Sequence, residues 1–421
     1  MIAFLIKGLL RDRSRSLFPL LTVAIGVSLT VLLDAYIRGA LDGMLDVTAR
    51  FVSGHVLVTT RARAREGPTA NSELALLNVA ELKQRLSDDY TDIVWHERIR
   101  FGGLLDVPDS SGATRLQTPV AGLAVNLSSK VGERELLRLD RALVSGHLPQ
   151  QPDEVLLSDD LSRRLGLKTG DRLTLISSTM NGSMAVADFT LSGTVRSGVT
   201  AMDRGMMLAD LAGIRPVLDM NDAADEIVGF FSSGGYEDAR AVKEARLFNS
   251  RQPDDDFAPH MQALRDASGL GGMLDLVFAA SGLIVAIFVT AMAVVLWNAG
   301  LMGSLRRYGE IGIRLAMGEP KGAVYRSLLT EALVVGLVGS ALGTLAGLGF
   351  SYYLQEVGIN ISGMMKDATM VMGDVIRARI APASFIVGFV PGLLATFIGA
   401  AISGLGVYKR QTAQLTKEFS G

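Results

Sequence analysis

The residue types that usually perform chemistry are few and scattered in this sequence. There are no cysteines, which excludes disulfides, thiolate metal sites and cysteine nucleophiles. The four histidines have no metal-ligand spacing, and we interpret them as surface or core residues: His55, His96, His147 and His260. The acidic runs Asp159-Asp160 and Asp254-Asp255-Asp256 are interpreted as a helix start and a solvated linker. No G-x-x-x-x-G-K-[ST] motif occurs, so this sequence has no P-loop to bind the phosphates of ATP. We therefore expect no catalytic residues, no metal site and no cofactor here.

Charge instead concentrates in one short stretch between two long apolar segments. The stretch, residues 305–331, separates 276–302 from 332–354, and each flank is long enough to span a bilayer. It carries five basic and three acidic residues: Arg306, Arg307, Arg314, Lys321, Arg326, Glu310, Glu319 and Glu331. Basic residues in a short loop between spans place that loop in the cytoplasm. Gly309 opens a predicted short helix, with Gly318 as its C′ residue and Pro320 beyond it. Such a helix is suited to bind another protein. The alternative is that Glu310 and Arg314 are simply an exposed i,i+4 pair.

Composition and hydropathy predict a membrane protein. Hydrophobic residues make up 49% of the chain, and the net charge of −2 does not suggest nucleic-acid binding. Residues 1–16 are predicted to form an amphipathic helix on the cytoplasmic face. A signal peptide is the rejected alternative, because the following apolar run is longer than a usual h-region and no cleavage site follows it. The predicted regions are a first span with its stalk (17–50), an external domain (51–270), a stalk and second span (271–304), the charged segment (305–331), a third span (332–354), an external loop (355–382), a fourth span (383–407) and a cytoplasmic tail (408–421).

The helix of the first span is predicted to continue beyond the membrane. Asp34, Arg38, Asp42, Asp46 and Arg50 recur every four residues, which places them on one face. A continuous helix transmits motion as a rod; a solvated helix end is the alternative. Small residues at the same spacing allow close helix packing within the bundle or between subunits. These are Gly339, Gly343 and Gly347 in the third span and Thr22, Gly26 and Thr30 in the first.

The fold class that follows is an α-helical membrane protein with four transmembrane helices and a large α+β domain on the external side between spans 1 and 2, which the resemblance given below makes a periplasmic domain. That domain is predicted to have two lobes, one discontinuous (51–125 and 225–270) and one inserted and β-rich (about 126–224). A strand is expected over 93–107 with a break at Gly102-Gly103, a helix over 257–268, and a hairpin turn at Asn181-Gly182. Methionines provide adaptable apolar surface, so we expect contact with a greasy cargo at Met364, Met365, Met370, Met372, Met180 and Met184. For the loop methionines, the alternative is an interfacial helix that fills gaps against lipid.

Several stretches resemble a known family. Glu310-Ile311-Gly312-Ile313-Arg314, Ala316-Met317-Gly318 and Leu329-Thr330-Glu331-Ala332 resemble the signature of the FtsX/MacB permease superfamily, the type VII ABC transporters. Residues 51–58 and 145–193 resemble the lipoprotein-releasing permeases LolC and LolE. The hairpin at 177–187 lacks the proline-containing hook of the LolC type, so the chain looks more like the LolE type, or like a family member with a different cargo.

The resemblance implies a mechanism and partners. The charged segment would be the coupling helix that meets a separate ATPase, through Arg306, Arg307, Glu310, Ile311, Gly312, Arg314, Met317 and Gly318. Two ATPase copies, carrying ATP and magnesium, would drive a homodimer, or a heterodimer with a sister permease, in the bacterial inner membrane. The cargo would be a lipoprotein or similar lipophile, received by a periplasmic carrier or adaptor. A MacB-like efflux permease for peptides or small amphiphiles, and an FtsX-like regulator of cell-wall hydrolases, are the alternatives.

Overall fold

The computed structural model describes residues 13–67, 72–108, 113–128, 132–306, 313–361 and 375–409. The chain divides into two compact units. The helical unit comprises 1–42, 275–359 and 376–421, and the α+β unit comprises 43–274 and 360–375. The helices are α1 Arg13–Thr48, α2 Arg61–Glu66, α3 Val79–Asp89, α4 Glu133–Leu136, α5 Leu139–Ala142, α6 Asp159–Leu165, α7 Thr200–Asp203, α8 Leu211–Leu218, α9 Asp238–Asn249, α10 Leu264–Ala267, α11 Gly271–Arg306, α12 Lys321–Val357 and α13 Pro382–Lys409. The strands are β1 Val56–Thr60, β2 Leu76–Leu77, β3 Ile93–Pro108, β4 Thr114–Val125, β5 Leu143–Gly146, β6 Glu154–Ser158, β7 Arg172–Ser178, β8 Met184–Val195, β9 Met206–Asp210, β10 Ala223–Ala224, β11 Glu226–Phe231, β12 Pro259–Ala263, β13 Ile359–Asn360 and β14 Val375–Ile376.

The four long helices α1, α11, α12 and α13 are each apolar and long enough to cross a membrane. Helices α1 and α12 extend beyond the bounds predicted for their spans. Helix α1 is already formed at Arg13, so no helix end separates residues 13–16 from the first span, and residues 1–12 lie outside the described part. Helix α12 begins at Lys321 rather than at 332, because Pro320 occupies its N-cap and the polar residues that follow continue the same helix.

Small residues set the packing of the helical unit. A Cβ added at Gly343 of α12 would lie 2.5 Å from the carbonyl oxygen of Ala24 in α1, and one at Gly347 would lie 2.8 Å from Cβ of Val31. Intramolecular packing of the third-span stripe is therefore confirmed. Gly26 in the first span also packs inside the unit, since its added Cβ would meet Sδ of Met292 at 2.3 Å.

The polar stripe of α1 is bound by the segment that leads into α13. Asp34 accepts hydrogen bonds from Arg38 at 2.9 Å and from Oγ of Ser384 at 3.0 Å. Arg379 donates its backbone N–H to the carbonyl of Ala35 at 2.9 Å and its guanidinium to Asp42 at 2.5 Å. These bonds attach this part of the stripe to the segment before α13, although Arg38, Asp42 and Arg379 remain 39%, 38% and 61% exposed, and the role of α1 as a rod stays a prediction.

The α+β unit is built on one ten-stranded sheet in the order β12-β1-β11-β3-β4-β9-β6-β8-β5, with β7 paired to β3 and β8. Strand β3 joins two sheet segments because it changes partner along its length. Its residues 93–98 pair with β11, and 99–108 pair with β4. We call β12, β1, β11 and residues 93–98 the first segment, and residues 99–108 with β4, β9, β6, β8, β5 and β7 the second segment.

Three details of this unit differ from the sequence prediction. Strand β3 is not broken at Gly102-Gly103, because Gly103 lets β7 approach so closely that a Cβ would lie 2.5 Å from the carbonyl oxygen of Ile176. Strand β4 pairs in parallel with β9, so it belongs with the strands of the lobe predicted to be inserted. The helix predicted over 257–268 forms only at 264–267, as α10, and strand β12 precedes it because pairing with β1 buries Met261 and Ala263 at a period of two.

Candidate coupling site

The predicted coupling residues divide between described and undescribed parts of the chain. Arg306 is the last residue of α11. Arg307, Glu310, Ile311 and Gly312 lie outside the described residues. The remaining three, Arg314, Met317 and Gly318, are described, and they lie just before α12.

A helical turn at 313–316 forms this part of the site and ends in the way that the sequence predicted. Gly318 adopts a φ of 92°, a conformation that favours glycine. Its N–H donates to the carbonyl of Leu315 at 3.1 Å, and the N–H of Glu319 donates to the carbonyl of Arg314 at 3.1 Å. These two bonds are a Schellman motif, which fixes the direction in which the chain leaves the turn.

The turn has one apolar face outward and one inward. Ile313 and Met317, one helical turn apart, are 62% and 76% exposed. Leu315 instead packs with Leu328 against Val324, which is buried in α12. The turn therefore presents an exposed apolar pair while Leu315 holds it against α12.

Charge around the turn is satisfied locally but weakly. Nε of Arg314 lies 2.9 Å from Oε2 of Glu319, and both side chains are about one-third exposed, at 36% and 31%. Surface ion pairs of this kind contribute roughly 0–1 kcal/mol, so a partner protein can redirect either group at little cost.

Two residues of the site were not predicted as functional. Glu319 pairs with Arg314, which the sequence suggested only through their common charged segment. Tyr325, the fifth residue of α12, donates its hydroxyl to the carbonyl of Ala401 in α13 at 3.3 Å. This bond connects two distant parts of the sequence, and no local pattern predicts it.

The methionines predicted to contact cargo fall into three groups. Met364, Met365, Met370 and Met372 lie outside the described residues. Met184 is 79% exposed at the start of β8. Met180 packs against the core of the α+β unit and donates its N–H to the carbonyl of Leu218 at 2.9 Å. Of the two described methionines, Met184 is the one whose side chain is free to contact a ligand.

Beside Met184 lies an exposed apolar row that runs across strands. Val186, Ile176 and Leu104 are cross-strand neighbours on β8, β7 and β3. Val186 is 57% exposed and Leu104 is 43% exposed. The sequence did not reveal this row because its members come together only through strand register. The predicted hairpin between β7 and β8 is present, with Gly182 at a φ of 79°.

The buried ionisable groups of the α+β unit serve its fold. Burial lowers the pKa of His55 to about 4, although Asp46 acts in the opposite direction. The neutral ring accepts the backbone N–H of Phe231 at its Nδ1 atom, at 3.1 Å. Among the residues that the structure describes, no group of three or more His, Asp or Glu side chains is arranged to hold a metal ion.

Comparisons with known proteins gave one family match, short matches to two relatives and one similar structure. Residues 282–412 match the family described as FtsX-like permease C-terminal. The macrolide export ATP-binding/permease protein MacB 1/2 of Paracoccus denitrificans (strain Pd 1222) is 33% identical over 94 residues, which are 20% of this chain and 13% of that protein. The macrolide export ATP-binding/permease protein MacB of Chromobacterium violaceum is 44% identical over 55 residues, which are 13% of this chain and 8% of that protein. The crystal structure of the periplasmic region of MacB from Actinobacillus actinomycetemcomitans aligns at 10% identity and a TM-score of 0.36, over 53% of this chain and 94% of that one.

Each of these matches covers only part of this chain. The aligned stretches cover 13% and 8% of the two curated relatives, so those proteins' full activities are not transferred by the likeness. The closer likeness to the lipoprotein-releasing permeases stays a prediction from the sequence.

Proposed function

We propose that the chain is the membrane subunit of a type VII ABC transporter of the FtsX/MacB superfamily, because its residues 282–412 match the FtsX-like permease C-terminal family. In this role it converts ATP hydrolysis by a separate subunit into movement of an external domain. The chain itself performs no catalysis.

Helix α1 is the observation that carries this proposal. It has 36 residues, which correspond to about 54 Å at the helical rise, whereas the hydrocarbon core of a bilayer is about 30 Å thick. Residues 13–42 of α1 belong to the helical unit, and 43–48 belong to the α+β unit. A single helix shared by both units is a direct mechanical connection along the chain.

The packing supports a route from the coupling site to this helix. A push on the turn at 313–318 reaches α12 through the contact of Leu315 with Val324. Helix α12 lies against α1 along Gly339, Gly343 and Gly347, where the backbones are too close to slide independently. The remaining predicted coupling residues, including Glu310, are also proposed to contact the ATPase.

The partners follow from the family. Two copies of an ATPase, with ATP and magnesium, bind a dimer of this chain or a heterodimer with a sister permease in the bacterial inner membrane. A lipoprotein or similar lipophile is the proposed cargo, contacted by the exposed row beside Met184 and by the loop methionines, and passed to a carrier or adaptor.

A second candidate cargo is a small amphiphile or peptide that is exported. The names of the two relatives, which are macrolide export proteins, favour this candidate. Mass spectrometry of lipoproteins and small molecules that copurify with the complex distinguishes the two.

The test is affinity purification of the full chain from its native membrane in mild detergent. We expect an ABC ATPase to copurify in equal amount, and Met317→Asp to abolish its recovery because a charge then replaces an exposed apolar contact. Met184→Asp is the matched control, since it also places a charge at an exposed methionine but lies in the α+β unit. Failure of the wild-type chain to bring down any ATPase would reject the proposal.

A further inference from the structure

The end of α1 lies at the point where β3 changes partner. After Thr48 the chain forms a π-helical turn, Ala49–Ser53, closed by a bond from the N–H of Gly54 to the carbonyl of Ala49 at 2.8 Å. Ala49 packs in an apolar cluster with residues of β1 and β11, in the first sheet segment. Phe51 packs in another cluster with residues of β4, β6 and β9, in the second segment. The helix end therefore contacts both segments.

A single arginine bonds this helix end to the junction. One terminal nitrogen of Arg100, Nη2, donates to the carbonyls of Phe51 at 2.9 Å and Val52 at 2.7 Å. The last carbonyls of a helix have no partner within it, and a cation near this end also interacts favourably with the helix dipole. Arg100 thus satisfies two groups that would otherwise stay unpaired.

Acidic residues hold Arg100 in this position. Nε of Arg100 donates to Glu226 at 3.0 Å, and its backbone N–H donates to Asp225 at 2.8 Å. Asp225 is fully buried and lies 2.8 Å from Nη1 of Arg63. Glu226 thus holds the side chain of Arg100 and Asp225 holds its backbone, while Nη2 of Arg100 bonds the end of the helix.

The location of Arg100 in the sheet is what gives these bonds a mechanical meaning. Arg98 is the last residue of β3 that pairs with β11, and Ile99 is the first that pairs with β4. Arg100 stands one residue beyond this change, and its carboxylate partner Glu226 begins β11, on the other segment. Arg100 therefore links the helix end to the position where the two segments meet.

We propose that Arg100 is the positioning residue through which α1 moves the joint between the two sheet segments, so that motion of α1 changes the angle between them. This inference rests on the proposed function, which supplies the motion. It goes further by naming the joint and the side chain that transmits force to it.

The first experiment measures hydrogen exchange in the full chain in nanodiscs. Arg100→Gln leaves the charge of Glu226 unpaired, so the double variant Arg100→Gln/Glu226→Gln is the informative one. We expect the amides of residues 49–54 to exchange at least about tenfold faster in the double variant. Glu226→Gln alone keeps both carbonyl bonds and should stay within about twofold of wild type. Arg115→Gln is the matched control, because Arg115 also donates to a helix-end carbonyl, that of Leu165, at 2.9 Å, and should leave 49–54 unchanged. Wild-type exchange at 49–54 in the double variant would overturn the proposal.

The second experiment reads motion, which a merely structural role would not affect. The chain has no cysteines, so Ser87→Cys in α3 and Lys168→Cys after α6 can carry spin labels specifically. In the complex with its copurified ATPase, trapping with ATP and vanadate should shift the distance between these labels. In the double variant the shift should disappear while ATP hydrolysis stays within about twofold of wild type. A shift equal to that of wild type would overturn the role of Arg100. Absence of any copurifying ATPase would instead reject the proposed function, and the exchange experiment would still decide whether Arg100 holds the helix end.

Discussion

The contact between α12 and α1 gives a prediction that can be worked from distances. An alanine at position 343 would place its Cβ 2.5 Å from the carbonyl oxygen of Ala24, 3.0 Å from Cα of the same residue and 2.8 Å from Cβ of Val27. Two of these atoms are backbone, so α1 as a whole must move away. Ordinary contact requires about 3.4–4 Å, and overpacking of this kind costs about 1–3 kcal/mol.

The same substitution also brings a gain, which must be subtracted. Alanine is favoured over glycine in helices by about 1 kcal/mol. Gly349 lies on the same helix with nothing within 4 Å of its added Cβ, so Gly349→Ala gives this gain without the clash. The difference between the two variants isolates the cost of separating the helices, which we expect to be about 1–3 kcal/mol.

The assay is thermal unfolding of the full chain in detergent, followed by intrinsic fluorescence and by loss of the monodisperse peak. We expect Gly343→Ala to unfold several degrees below Gly349→Ala, and we expect Gly349→Ala to equal or exceed wild type. Equal midpoints for the two variants would refute the packing argument. Reduced coupled ATP turnover in Gly343→Ala, with ATPase binding intact, would further support the route through α12.

Three other predictions concern the α+β unit. Burial lowers the pKa of His55 from its ordinary value of 6.5 to about 4, so the folded protein favours the neutral ring. The resulting stabilisation is fully present above about pH 6.5 and is lost as the pH falls towards 4. His55→Gln keeps an acceptor for Phe231 and should flatten the pH dependence of urea unfolding in that range; an unchanged slope would contradict the assignment. The buried pair of Arg98 and Glu133, 2.8 Å apart, predicts a loss of about 3–5 kcal/mol for Glu133→Ala and a smaller loss for Arg98→Met/Glu133→Leu, measured by denaturant unfolding. If both variants lose the same amount, the unpaired charge is not the cause. Val186→Asp should weaken crosslinking to a lipid-like photoprobe without changing the unfolding midpoint, whereas Ser87→Asp should leave crosslinking unchanged; equal crosslinking in the two would argue against the apolar row.

The sequence predicted the local features of this fold well. Spans are visible as long apolar runs, and the turn at Gly318 follows from glycine's tolerance of positive φ, here 92°. Strand β12 was mistaken for a helix because its pairing with β1, about 200 residues away along the chain, decides its conformation. Helix α12 extends back to Lys321, before the predicted third span, because the polar residues at 321–331 continue the helix out of the apolar region.

In the candidate site, too, the sequence predicted local features but not contacts between distant residues. Met317 was chosen from the charged segment, and its 76% exposure agrees with a surface role. Met180 and Met184 are four residues apart and look equivalent in the sequence, but only register and packing reveal that Met180 supports the core. The bonds from Arg100 to the end of α1 join residues about fifty positions apart, and no periodicity predicts them.

The central claim is that ATP hydrolysis moves α1. Gly43 lies on an exposed part of this helix with nothing within 4 Å, so a single cysteine there can carry a spin label. In a dimer with its ATPase in proteoliposomes, the distance between the two labels should shorten when the complex is trapped with ATP and vanadate. A distance that stays the same while the complex hydrolyses ATP would contradict the account.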